Sequence, residues 1–216
     1  MKERTYTIVY MTALCIVATA AMTGVKSMLS TRIENNRTVL MNRDILRALD
    51  LLPAGADAEQ VNALYAERVK SEEIDEQRIY RAYDEDGKTL VALGMEFRGQ
   101  GFWGPIRGVL ATDPAGEKAV GVVFLEHQET PGLGARIAEP WFLEQFRGKD
   151  IAEPVADGVY LVLKPEGQTA SGEHEINAIS GATRTSDSVQ RIINDAVKHF
   201  NGVVKPRLAP AAAKEQ

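Results

Sequence analysis

From Tyr6 to Val25 the chain reads YTIVYMTALCIVATAAMTGV, 20 residues without a single charge. About twenty apolar residues in an α-helix match the thickness of a bilayer core. We therefore read the run as a transmembrane helix and expect residues 1–29 to form an N-terminal tail and anchor. The rival reading is a cleaved signal peptide. Lys2 and Arg4 make a basic n-region, and Ala18-Thr19-Ala20 has the small residues of a cleavage site. The apolar run continues past that site and is long for a signal sequence, which favours the anchor. Lys26, Arg32 and Arg37 follow it, so the positive-inside count does not fix orientation. With the N-terminus inside, both readings place the rest of the chain beyond the cytoplasm.

At 216 residues, 44% of them apolar and 25% charged, the chain has the composition of a folded protein. Its net charge of −5 and scattered cations argue against a nucleic-acid surface. Cys15 is the only cysteine and lies in the apolar run. Structural zinc or an iron–sulfur cluster held by this chain is thus not expected, and no metal ligands are assigned. Any redox chemistry needs another carrier.

The spacing of Val39, Leu40, Ile45, Leu46, Leu49 and Leu52 predicts a helix over Glu34–Leu52, stopped by Pro53 and Gly55, and a second helix covers Ala58–Val69. Residues 30–72 are accordingly read as a helical, membrane-proximal segment. Extended segments follow at Arg78–Tyr83, Thr89–Phe97, Ile106–Ala111, Val120–Glu126 and Val159–Lys164, separated by turn chemistry in DEDGK, RGQGFWGP and DPAGEK. They imply a mostly antiparallel sheet. Helices are expected at Glu139–Phe146 and Asp187–Phe200, the latter with Val189, Ile192, Ile193, Ala196, Val197 and Phe200 on one stripe. The fold class is α+β, with its domain over residues 73–204. KPRLAPAAAKEQ, residues 205–216, shows no periodicity and is read as a flexible tail.

The stretch EINAISGATRTSDSVQ crowds Ser180, Thr183, Thr185 and Ser186 around Gly181 immediately before the last helix. Thr185 or Ser186 suits an N-cap. Capping does not account for Gly181-Ala182-Thr183, where small residues allow close approach to the backbone. A helix N-terminus also attracts anions, which makes phosphate the natural ligand class. Residue chemistry alone leaves capping and phosphate binding both open.

SGATRTS at Ser180–Ser186 resembles the attachment motif of the FMN-binding domain found in the G subunit of the Rnf complex and the C subunit of the sodium-translocating NADH:quinone reductase. HQETPGLGARI at His127–Ile137, followed by WFLEQFRGK, resembles that family's second signature. The resemblance covers roughly residues 30–204. It implies an FMN joined through its phosphate to Thr183, as a phosphoester made by a separate flavin transferase. Gly181 and Ala182 then leave room for the transferase and the phosphate, Thr185, Ser186 and the helix N-terminus hydrogen-bond the remaining phosphate oxygens, and Ser180 is counted with them in the cofactor-binding set. Asn177 stands where the family usually carries Asp. The resemblance further implies that Glu129 and Thr130 contact the flavin or its phosphate arm, with Gly132 and Leu133 in the loop beside it. Trp103 either stacks on the isoalloxazine or packs. His127 reads as structural, and His174 and His199 as surface residues.

By that resemblance the chain is an electron-transfer subunit of a membrane ion-translocating redox complex, single-pass in the bacterial inner membrane, with its domain on the outer side. The Rnf-type G subunit, linking ferredoxin and NAD, is the first reading, because the chain is short and ends soon after its last helix. The quinone-reductase C subunit, which GFWG and WFLEQF resemble, is the second. A non-redox, membrane-tethered module binding a phosphate-bearing ligand is the third. A hydrolase using a threonine nucleophile needs a base near that hydroxyl, and none adjoins it in sequence.

Overall fold

The structure, a computed structural model, describes residues 2–212. The chain divides into two units, Met1–Leu40 and Met41–Gln216. Helix α1, Lys2–Ala48, supplies the described part of the first and opens the second. Within it, the 27-residue stretch Arg4–Ser30 contains an 18-residue window of mean hydropathy 2.0, none of that window buried. At about 1.5 Å per residue this stretch is long and apolar enough to cross a membrane. Thr12 fits into it because its hydroxyl donates to the Ile8 carbonyl one turn back, at 2.8 Å.

The division falls inside residues 30–72, the segment set apart from the sequence as membrane-proximal. Ile45, Leu46, Ala48 and Leu49 are at most 2% exposed, so this end of α1 is core of the second unit. Asp50, with φ of 59°, takes the left-handed conformation that ends the helix. Helix α2, Ala58–Arg68, begins at a capping box: Asp57 accepts from the Gln60 N–H, and Gln60 accepts in turn from the Asp57 N–H.

Strands β1 (Val69–Ile74), β2 (Gln77–Tyr83), β3 (Leu90–Gln100), β4 (Pro105–Thr112) and β5 (Ala119–Glu126) form an antiparallel sheet in simple chain order. Four of them match expected segments. β1 is not among those segments, for two physical reasons. VKSEEI is an edge strand with four consecutive exposed residues, so it lacks alternation. Its two-residue turn is built from Asp75 and Glu76, with φ of 51° and 66°, a conformation usually announced by Asn-Gly or Asp-Gly. Only Val162–Lys164 of the expected Val159–Lys164 segment is strand, β6. It pairs in parallel with β7, Glu175–Asn177, in a separate two-stranded sheet. The α+β expectation is met.

The core joins the main sheet to two helices. Phe124 of β5 meets Phe97 edge-on at 5.5 Å and Phe142 at 6.3 Å, and Phe142 meets Phe146 at 5.5 Å. Phe142 belongs to the short helix α3, Pro140–Glu144. Helix α4, Thr183–His199, lays Val189, Ile192, Ile193 and Val197 across β3, all of them buried. Its stripe is legible in the sequence, but it starts at Thr183 rather than Asp187. A wide turn, Phe200–Val204, then leads into α5, Lys205–Ala212, which replaces the aperiodic tail expected there. Phe200 and Val204 are fully buried and Leu208 nearly so, and these three hold the chain on the core. The last residues of that expected tail, 213–216, lie outside the described residues.

Two polar anchors fix the second half of the fold. Asn194 of α4, 5% exposed, accepts from the Tyr160 and Leu161 N–H groups and donates to the Leu161 carbonyl, each at 2.8 Å. Glu175 opens β7 with an ion pair to Lys164 at 2.8 Å and bonds from the Ser171 and Gly172 N–H groups. The lysine and these amides pull its carboxyl down to about 2 from 4.5. Asn194→Ala strips partners from three buried backbone groups, and denaturant titration should show a loss of about 2–4 kcal/mol. Because the folded-state value for Glu175 is depressed, its stabilisation is complete above pH 4.5 and is lost as pH falls towards about 2. Glu175→Gln should flatten the stability profile across that window and leave the profile's slope above it unchanged.

Candidate functional site

An open cleft of about 380 Å³ lies where the β3–β4 turn, the loop after β5 and the start of α4 converge. On one side, the Gly101 N–H closes the GFWG turn onto the Gly104 carbonyl at 2.9 Å. That turn presents Phe102 and Trp103 outward, 40% and 64% exposed, with ring centroids 4.8 Å apart. On another side, the Thr130 carbonyl accepts from the Leu133 and Ala135 N–H groups at 3.1 Å. This tight turn pushes Leu133 into the cleft wall, 47% exposed.

The floor is the entry to α4. Gly181 turns the chain with φ of 74°, a conformation that a Cβ would strain. Ala182 is the residue before the helix, and no side chain caps it. The first-turn amides of Thr183, Arg184 and Thr185 have no intrahelical acceptors, and these three residues line the cleft. Thr183 is exposed there. Arg184 is the one charged side chain among the described residues that line the cleft, and its guanidinium lies over the Phe102 ring at 5.2 Å.

The expected capping role of Thr185 or Ser186 is not found, because α4 starts at Thr183 and puts both residues inside the helix, where their hydroxyls are engaged elsewhere. Thr185, 3% exposed, donates to Glu129 Oε2 at 2.7 Å, and Ser186 Oγ, 2% exposed, accepts from the Ile179 N–H at 3.1 Å. Glu129 is itself 5% exposed, and its Oε1 accepts from the Phe102 and Trp103 N–H groups at 2.8 and 3.3 Å. Both of its oxygens are committed inside the protein, behind the cleft wall rather than on it. Asn177 is likewise occupied: its side chain accepts from the Ala170 N–H and donates to Gln145, both at 2.8 Å.

Of the residues proposed from sequence, the fold brings Thr183, Gly181, Ala182, Thr185, Thr130, Leu133 and Trp103 to the cleft. Ser180, Ser186, Glu129 and Gly132 do not line it. Phe102 and Arg184 join the site without having been expected there. Phe102 is half of the exposed aromatic pair in GFWG, and Arg184 lies within SGATRTS, so both belong to stretches that the sequence already marks. Aromatic and aliphatic walls suit a planar ring system. A hydroxyl, a guanidinium and free helix amides suit a phosphate. The lining residues thus fit a flavin mononucleotide.

Residues 101–198 match the FMN-binding domain family. The chain is 33% identical over 117 residues to the C subunit of the Na(+)-translocating NADH-quinone reductase of Pasteurella multocida, covering 54% of this chain and 43% of that one. For the same subunit of Vibrio anguillarum the identity is 31% over 148 residues, covering 66% and 56%. The chain thus spans about half the length of these curated relatives. The crystal structure of Shewanella oneidensis NqrC matches with a TM-score of 0.62 at 25% identity, over 77% of this chain and 92% of that one. The corresponding C subunit from Parabacteroides distasonis shares the fold, with a TM-score of 0.63 at 24% identity, over 80% and 94%. The matched segment runs from the GFWG turn through nearly all of α4, the elements that frame the cleft, and over that segment the chain is similar to the FMN-binding domain family.

Proposed function

We propose that this chain is an electron-transfer subunit of a membrane ion-translocating redox complex, anchored by the Arg4–Ser30 segment and carrying FMN covalently through the Thr183 oxygen. The observation that carries the reading is the exposed Thr183 at the uncapped start of α4, lining the same cleft as Phe102 and Trp103. A bound flavin supplies the capacity to accept and release electrons, which none of the side chains here has. The protein's contribution is attachment, orientation and charge. Thr183 is the acceptor to which a flavin transferase joins the phosphate, its hydroxyl giving up a proton as the phosphorus–oxygen bond to the leaving group of an activated flavin phosphate donor breaks. Arg184 and the first-turn amides of α4 hold the remaining phosphate oxygens, and Phe102, Trp103 and Leu133 shield the ring system. With Thr185 and Ser186 engaged elsewhere, Arg184 takes the part expected of those hydroxyls.

Attachment serves a carrier because a phosphoester is not lost by dissociation, and a membrane anchor keeps the carrier near membrane partners. The quinone-reductase relatives support that complex's partner set. The Rnf-type set differs only in its partners, and the domain we place on the outer face serves either complex. Affinity purification of the tagged full chain from native membranes distinguishes the two: NADH–quinone reductase activity in the purified complex supports the first, ferredoxin–NAD activity the second.

The attachment itself is tested on chain co-expressed with a flavin transferase, denatured, digested and mapped by mass spectrometry. We expect flavin fluorescence to stay with the chain and the adduct to fall on the peptide ending at Arg184. Thr183→Ser should load, and Thr183→Ala should not. Arg184→Gln should load about tenfold more slowly, the effect of losing one charge-assisted hydrogen bond. An adduct on the peptide beginning at Thr185, or a folded chain without flavin, would sink the assignment.

A further inference from the structure

Glu129 closes a ring of hydrogen bonds joining the three segments that make the cleft. It belongs to the loop after β5; its Oε1 takes the Phe102 and Trp103 amides of the β3–β4 turn, and its Oε2 takes the Thr185 hydroxyl of α4. The space around the carboxylate is shaped for it. A Cβ on Gly101 would come within 2.5 Å of Glu129 Oε1, and one on Gly134 would come within 2.5 Å of Thr185 Oγ1 and 2.9 Å of Glu129 Oε2. No cation pairs with Glu129 among the described ion pairs. At 5% exposure, its oxygens depend on these three donors. Removing one donor leaves a buried carboxylate oxygen short of a partner, so the ring is held as a unit.

We propose that Glu129 is a positioning residue: it couples the aromatic lip at Phe102–Trp103 to the first turn of α4, and so fixes the distance across the cleft and the placement of the Thr183 hydroxyl. It acts through Thr185 and two backbone amides and does not touch the flavin. This rests on the reading of Thr183 as the attachment site, although the coupling is a property of the protein alone. The presence of threonine at position 185 is thereby explained, since a hydroxyl two residues past the acceptor is needed to lock the acceptor's own helical turn.

The test uses the full chain in detergent and two readouts, one of which needs no flavin. Hydrogen exchange at the Phe102 and Trp103 amides reports the coupling, and the rate of flavin loading by the transferase reports the consequence. Thr185→Val removes the hydroxyl at constant volume on the far side of the ring from those amides. We expect it to raise their exchange and slow loading, each about tenfold, the equivalent of one hydrogen bond to a charged group. Thr185→Ser and Glu129→Gln each keep a donor facing an acceptor at that contact. Both should stay within about threefold of the parent, a rescue that bulk packing does not predict. Glu129→Ala should resemble Thr185→Val; if it does not fold, the valine variant still decides.

Unchanged exchange in Thr185→Val, or tenfold losses in Thr185→Ser, would overturn the coupling. Raised exchange with undiminished loading would overturn the positioning role. If the parent chain takes no flavin at Thr183, the functional reading fails, while the exchange result still decides the coupling.

Discussion

Helix α4 has to bury Val189, Ile192, Ile193 and Val197, and β3 is where it does so. The fit is close: a Cβ on Gly99 of β3 would lie 2.6 Å from Ile192 Cγ1, so the helix rests directly on the strand's backbone. Apolar burial supplies the driving force but leaves a helix free to slide along its stripe. Asn194 and Glu129 remove that freedom through directional bonds, one to the segment before β6 and the other to the cleft loops. The cleft is a consequence of that register. With α4 so placed, its uncapped first turn stands opposite the Phe102–Trp103 turn, and the concavity between them is bounded by Leu133.

This arrangement separates two duties that the hydroxyl-rich motif does not tell apart. Thr185 and Ser186 are buried and serve the fold, while Thr183 is exposed and faces the cleft. Helical periodicity explains the split. Thr183 and Thr185, two residues apart, project to different sides of the first turn. Thr185 points back towards the loop after β5, and Thr183 is left at the opening. Arg184, between them, is held over Phe102 and brings a cation to the otherwise uncharged lining among the described residues.

Much of the fold is legible from sequence because its signals are local. The apolar run of α1, the stripe of α4 and four apolar strands bounded by turn residues each satisfy a rule that spans only a few residues. What escapes is set by remote partners. β1 carries charges along an exposed edge and turns through Asp75-Glu76, so only its pairing with β2 makes it a strand. α5 shows no periodicity in the sequence, and the burial of Leu208 follows only once Phe200 and Val204 have brought the chain to the core.

The amino-acid sequence alone determined the apolar N-terminal helix, the α+β class and the motif containing Thr183, because hydrophobic periodicity and a contiguous motif are carried by neighbouring residues. Tertiary structure decided which hydroxyl faces the cleft and which are consumed inside, that Glu129 is a buried tie rather than part of the lining, and that Phe102 and Arg184 stand with Thr183. Those assignments depend on residues 56 positions apart in the Glu129–Thr185 bond meeting at 2.7 Å. Nothing in local sequence encodes such a meeting; it follows from where the sheet and α4 must pack to bury their apolar faces.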